Sequence, residues 1–114
     1  YLKRPLSLAG TAHEIFQRAA IVVENMIYAI VMEDLVPVPQ EGVPTRFRRR
    51  RKEDSNISSV ENLDDLYDFI RMLDCDGSPR AFINTDRFCL AFSRAENTLL
   101  PDAIRAQIVI TQRS

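Results

Sequence analysis

Two cysteines, three glycines and one histidine are all that this 114-residue chain carries of those types. Two cysteines cannot make the disulfide framework of a small stapled domain. Cys75 and Cys89 lie fourteen apart with no C-x-x-C, and they read as two free thiols of a reducing compartment, the cytoplasm. Three glycines leave no glycine-rich phosphate loop. With His13 alone to draw on and no G-x-S-x-G, neither Ser-His-Asp nor Cys-His chemistry is expected. Charge of one sign is lacking too. Fifteen basic against sixteen acidic residues give no global field for a nucleic acid or a membrane. No internal repeat points to a solenoid.

What is present is apolar. Hydrophobic residues make up 46% of the chain, well above the composition of a disordered segment. The length suits one domain. The sequence opens at Tyr1 without Met, which reads as a processed form or an excised piece. The longest apolar run, Ala19 to Leu35, is broken by Glu24, Asn25, Glu33 and Asp34, so a transmembrane span is not expected.

Order says more than composition. Thr11-Ala12-His13-Glu14 fits a capping box behind Gly10, and Pro37 and Pro39 keep a helix from continuing past Leu35. A helix is predicted over about 12–34. Its polar residues Glu14, Gln17, Arg18, Glu24, Asn25 and Tyr28 share one arc of roughly 120°. The apolar ones fill roughly 200°, far wider than the stripe of an ordinary surface helix. Val23, Ile27, Ile30 and Val31 lie on that arc. They are candidate contacts to a second chain, either a copy in a homodimer or a covering protein.

A second helix is predicted over about 60–74, from Leu63, Leu66, Tyr67, Ile70 and Leu73 on one face. Its start has two competing caps, Ser58 in a capping box and Asn62. Gly77-Ser78-Pro79 ends it. The last third reads as short strands: 80–84, then 87–93 with Phe88, Leu90 and Phe92 alternating against Cys89 and Ala91, then 106–112. Pro101-Asp102 reads as a helical turn or a hairpin bend. The expected fold is α+β, two main helices packed with a small antiparallel sheet in one compact unit over 1–114.

Between the helices, 36–59 reads as a linker rich in proline and arginine. Arg46, Arg48, Arg49, Arg50, Arg51 and Lys52 form one basic run around Phe47. Without those six charges the chain holds nine basic and sixteen acidic residues, a net of −7, so the run is one positive segment on an acidic body. Three roles stay open for it: charges that are solvated or pair with nearby acids, a contact to a phosphorylated substrate or acidic partner, and a contact to a nucleic acid.

Asp74-Cys75-Asp76-Gly77-Ser78 superficially matches the D-x-D-G-[ST] of phosphatases with a carboxylate nucleophile. The segment before it is helical, and no Lys comes after Ser78, so it reads as a turn closing a helix. A Ca²⁺ loop fails as well, because its bidentate acid would fall at Ile83.

The string LSLAGTAHEIFQRA, VPQEG, FRRRRKEDSNI, LYDFIRMLDCDGSPRAF and FSRA resembles the C-terminal half of the formyltransferase family. That family includes methionyl-tRNA formyltransferase and sugar N-formyltransferases. The most specific piece is Ile70-Arg71 followed by Pro79-Arg80-Ala81-Phe82, and Glu53-Asp54-Ser55 is the second. Lys52 stands where the family often has proline, and Ser78 where an aromatic is usual.

The resemblance implies formyl transfer from formyl-tetrahydrofolate to an amine, by an Asn-His-Asp set in a Rossmann-like half that would precede Tyr1. His13 does not match the family's catalytic histidine. No catalytic, folate-binding or metal-binding residue is carried over, and no cofactor is expected in this chain. The first helix would correspond to the last helix packed on that half's parallel sheet. Two functions are therefore expected to compete. One is the C-terminal portion of a formyltransferase-like protein, inactive alone. The other is a free-standing interaction protein assembling through its first helix.

Overall fold

A computed structural model describes residues 1–114. Helix α1 spans Ala12–Met32 and α2 spans Leu63–Met72, followed by strands β1 (Ala81–Asn84), β2 (Phe88–Asn97) and β3 (Ile104–Gln112). The sheet is antiparallel in the order β1-β2-β3, the α+β arrangement expected from the sequence.

Local chemistry sets these boundaries. Thr11 Oγ1 accepts the Glu14 N–H at 3.3 Å, which caps α1 where the sequence placed its start. The Glu14 carboxylate takes the Thr11 hydroxyl instead of closing the reciprocal half of the box. Gly10 precedes them at φ +89°, and a Cβ there would meet Glu14 Oε2 at 2.7 Å. Only glycine fits that turn.

The start of α2 is a correction. Asn62 is its cap, accepting the Asp65 N–H at 2.9 Å, so the helix begins at Leu63. Ser58 sits in a short 3-10 turn, Ile57–Ser59, where its own N–H is held by Asn56 Oδ1. The nearer cap satisfies the donors of the amphipathic turn itself.

The linker expected over 36–59 is irregular only through Arg51. Two 3-10 turns, Lys52–Ser55 and Ile57–Ser59, come after it, and Asn56 bridges to Phe82 beside β1. Ser55 is buried there.

In the sheet, Ala81 pairs with Phe92 and Ile83 with Leu90, while Leu90 pairs with Ile110 and Phe92 with Ile108. Between Ser93 and Glu96, β2 holds one residue more than β3 does between Gln107 and Arg105. This bulge puts Arg94 at φ +50°. The core is small: Ile70 of α2 and Ala81 and Phe82 of β1, with Ala12 and Ile15 from the root of α1.

The rest of α1 and the chain after it project from this core. The radius of gyration is 18.6 Å, against about 13 Å for a compact domain of this length. Compactness, expected over 1–114, does not extend to that projection. Nothing else in the chain packs on it broadly enough to draw it in.

Candidate functional site

Three surfaces carry the residues singled out by the sequence. On α1, Val23 is 51% exposed, Ile27 58% and Val31 70%, while Ile30 is half-buried. Phe16, Ile21, Tyr28 and Met32 are exposed as well. Helix propensity and the cap make α1 a helix, but its own chain fully buries only Ala12 and Ile15 of its first turn. The accessible surface totals 9700 Å², where a folded monomer of 13.1 kDa exposes about 6,400 Å². The excess is larger than a standard protein–protein contact buries. By length and composition α1 is also apolar enough to cross a membrane, a test that core helices and signal sequences pass too.

The basic run divides in two. Arg48 grips Asp54 with both terminal guanidinium nitrogens, Nη2 at 2.6 Å and Nη1 at 3.0 Å, and Asp54 also accepts the Arg51 N–H at 2.7 Å. The Arg48 hydrogen bonds, with that backbone donor, hold the Asp54 carboxyl down at about 2. The Arg48 guanidinium is raised in turn by the same partner. Arg50 turns inward, to the Asp54 carbonyl at 3.2 Å and Ser55 Oγ at 3.4 Å. The side chains of Arg46, Arg49, Arg51 and Lys52 have no ion-pair partner and are exposed, as is Phe47. Of the expectation that these charges pair with acids or are solvated, Arg48 meets the first and the four exposed cations the second.

The third surface was not legible as one. Asp74 is buried, and the turn reading understates it. Its Oδ1 accepts Arg80 Nε at 3.1 Å, its Oδ2 accepts the Arg94 N–H in the bulge at 2.8 Å, and its carbonyl accepts the His13 N–H at 3.1 Å. One residue ties the end of α2, the start of β1, the bulge of β2 and the root of α1. Asp76, by contrast, is almost fully exposed and meets Arg80 at 3.3 Å. Arg71 makes a second tie. Its Nη1 donates to the carbonyls of Leu8 at 2.6 Å and Gly10 at 3.0 Å, its Nε to Asp68 at 2.9 Å, and it lies over the Tyr67 ring. Arg18 holds the same segment by the carbonyls of Ser7 and Ala9. Spacing within D-C-D-G gave no sign of these ties, because the partners lie six to more than sixty residues away.

His13 is exposed near the Asp74 joint, and Cys75 and Cys89 are free and half-buried. No cluster of His, Cys, Asp or Glu has the makings of a metal site. Chemically the molecule offers an apolar helix face, a row of four free cations and a stiff joint between them.

Residues 52–111 match the family described as "Methionyl-tRNA formyltransferase, C-terminal domain". Among solved structures, the methionyl-tRNA formyltransferase from Clostridium thermocellum superposes with a TM-score of 0.89 at 44% sequence identity, over 99% of this chain and 49% of that one. The chain therefore spans about half the length of that relative. A search of curated proteins finds no match.

Proposed function

Since the chain belongs to the family of methionyl-tRNA formyltransferase C-terminal domains, we propose that it is the non-catalytic half of a formyl-tetrahydrofolate-dependent formyltransferase of the cytoplasm, inactive by itself. The observation that carries this reading is the uncovered face of α1. Val23, Ile27, Ile30 and Val31 are the contacts for the sheet of a preceding catalytic half, which would bury the surface that this chain leaves open. Glu24 and Asn25, in the middle of α1, favour that reading over a membrane span, since both would otherwise sit in hydrocarbon. Folate and the acceptor amine would be bound by the preceding half.

The free cations have a role in this scheme. Arg46, Arg49, Arg51 and Lys52 would contact the phosphates of a tRNA acceptor, with Arg48 and Arg50 holding the turn that presents them. Each lost phosphate contact flattens the salt dependence by about 0.7 to 0.9 log units per decade. Replacing the four cations with Ala should therefore flatten the slope of tRNA binding by about three units.

The test is formyl transfer from formyl-tetrahydrofolate to methionyl-tRNA by three preparations. These are the chain alone, the full-length protein, and the full-length protein carrying the four substitutions. We expect turnover only from full-length protein, with a raised KM for tRNA in the substituted form. Turnover by the chain alone overturns the proposal. Unchanged tRNA binding in the substituted protein removes the basic run from it.

A further inference from the structure

The segment before α1 pairs with no strand, yet none of its carbonyls from Ser7 to Gly10 is left free. Arg18, on α1, donates to the carbonyls of Ser7 and Ala9, the latter at 2.7 Å. Arg71, on α2, donates from Nη1 to those of Leu8 at 2.6 Å and Gly10 at 3.0 Å. The acceptors alternate between the two, as the groups of an extended chain alternate in direction. Two guanidinium groups thus stand where two neighbouring strands would stand. Arginine suits the task, because its rigid fork carries several donors at fixed spacing.

The two arginines differ in what they join. Arg18 ties this strap to the helix that directly follows it. Arg71 ties it to α2, sixty-three residues beyond Leu8. Three hydrogen bonds cross from residues 1–35 to residues 52–114: the two from Arg71, and the His13 N–H on the Asp74 carbonyl. Arg71 is itself held where it reaches across. Its Nε bonds Asp68 at 2.9 Å, it lies over the Tyr67 ring, and its side chain is only 17% exposed. Charge-assisted bonds from such a group are the strong kind.

The basic run lies on the α2 side of this junction. Buried Ser55 and the bridge from Asn56 to Phe82 fix the turn that presents it beside β1. On the functional reading above, the reacting centre lies on the other side, in the half that precedes Tyr1. We propose that Arg71 is a positioning residue for formyl transfer. It pins the strap from that half to α2, and so keeps an acceptor gripped by the cations in register with the reacting centre. A misplacement of about 1 Å at such a centre costs about a hundredfold in rate. The inference rests on the functional reading for the reaction, and on the hydrogen bonds alone for the pin.

The experiment compares Arg71→Ala with Arg18→Ala in the full-length protein. Each removes two carbonyl contacts from the same strap, but only Arg71→Ala opens the junction. We expect Arg71→Ala to lower kcat for methionyl-tRNA by about 10- to 100-fold. The Kd for tRNA and the KM for formyl-tetrahydrofolate should change by less than about twofold, since neither site loses a group. Arg18→Ala should lower kcat by less than about threefold. Small-angle X-ray scattering reads the pin without turnover: the radius of gyration should rise in Arg71→Ala and stay unchanged in Arg18→Ala. A kcat that survives Arg71→Ala, or falls equally in Arg18→Ala, overturns the proposal. So does a loss confined to tRNA affinity, which would make Arg71 a binding residue, or a radius unchanged by Arg71→Ala. Full-length protein without transferase activity defeats the functional reading instead, and scattering then decides the pin by itself. Should Arg71→Ala unfold, Arg71→Lys, which keeps the charge and loses the fork, is judged by the same criteria.

Discussion

At the scale of single residues, two aspartates do the joining. Asp54 titrates at about 2 in the fold because Arg48 and the Arg51 N–H stabilise its charged form. A depressed folded value stabilises the turn above the unfolded carboxylate's ordinary pKa, near 4, and that contribution is lost as pH falls from about 4 to 2. The Asp54 carboxyl should therefore titrate near 2 by NMR, and Arg48→Ala should return it toward 4. An unmoved midpoint in that variant would assign the shift to the backbone donor alone. Asp74 is the costlier residue to lose. Asp74→Ala strands both the Arg80 guanidinium and the Arg94 N–H, and should destabilise by about 2–4 kcal/mol in chemical denaturation. Asp74→Asn keeps an acceptor and should cost less, about 1–2 kcal/mol. Asp76→Asn, on a solvent-facing pair, should change stability by less than about 0.5 kcal/mol.

At the scale of elements, legibility in the sequence followed the range of the forces involved. The start of α1 was legible because Thr11, Glu14 and Gly10 act on one another within four residues. The strands were legible because Phe88, Leu90 and Phe92 alternate, and alternation survives whatever pairs with it. The start of α2 was not, since Ser58 and Asn62 are equal caps by residue type and only the folded turn at Ile57–Ser59 chooses between them. Asn62→Ala should cost about 1 kcal/mol by thermal melting, and Ser58→Ala only a few tenths. Equal losses would mean that both caps contribute. The 3-10 turns at 52–59 have no hydrophobic period to announce them. The role of Asp74 depends on Arg94 and His13, which only the tertiary fold brings near. Of the candidate surfaces, the α1 arc was readable from its width alone. The division of the basic run into held and free cations was not, because it turns on the geometry of Asp54.

At the scale of the whole molecule, the dominant fact is the unspent apolar surface of α1. Val23→Asp and Ile27→Asp should leave the isolated chain as soluble as before or more so, because both sites already face water in it. If α1 packs on a catalytic half as proposed, the same changes in the full-length protein would place an unpaired charge in an apolar contact, at a cost of several kcal/mol. We expect them there to lower the melting temperature and the formyl-transfer rate together. Equal melting temperatures for the full-length protein and these variants would show that α1 is not its internal seam.

The root of α1 has a mechanical consequence. The helix is about 32 Å long, yet its fixed points are all at one end: the Thr11 cap, the His13 N–H on Asp74, and the buried Ala12 and Ile15. It is a lever clamped at its base. A tilt of about 10° at that base would swing the far tip by about 5.5 Å, so slack at the joint is magnified where the helix meets its load. Rigidity at Asp74 and Arg71 thus sets how precisely anything mounted on α1 is aimed.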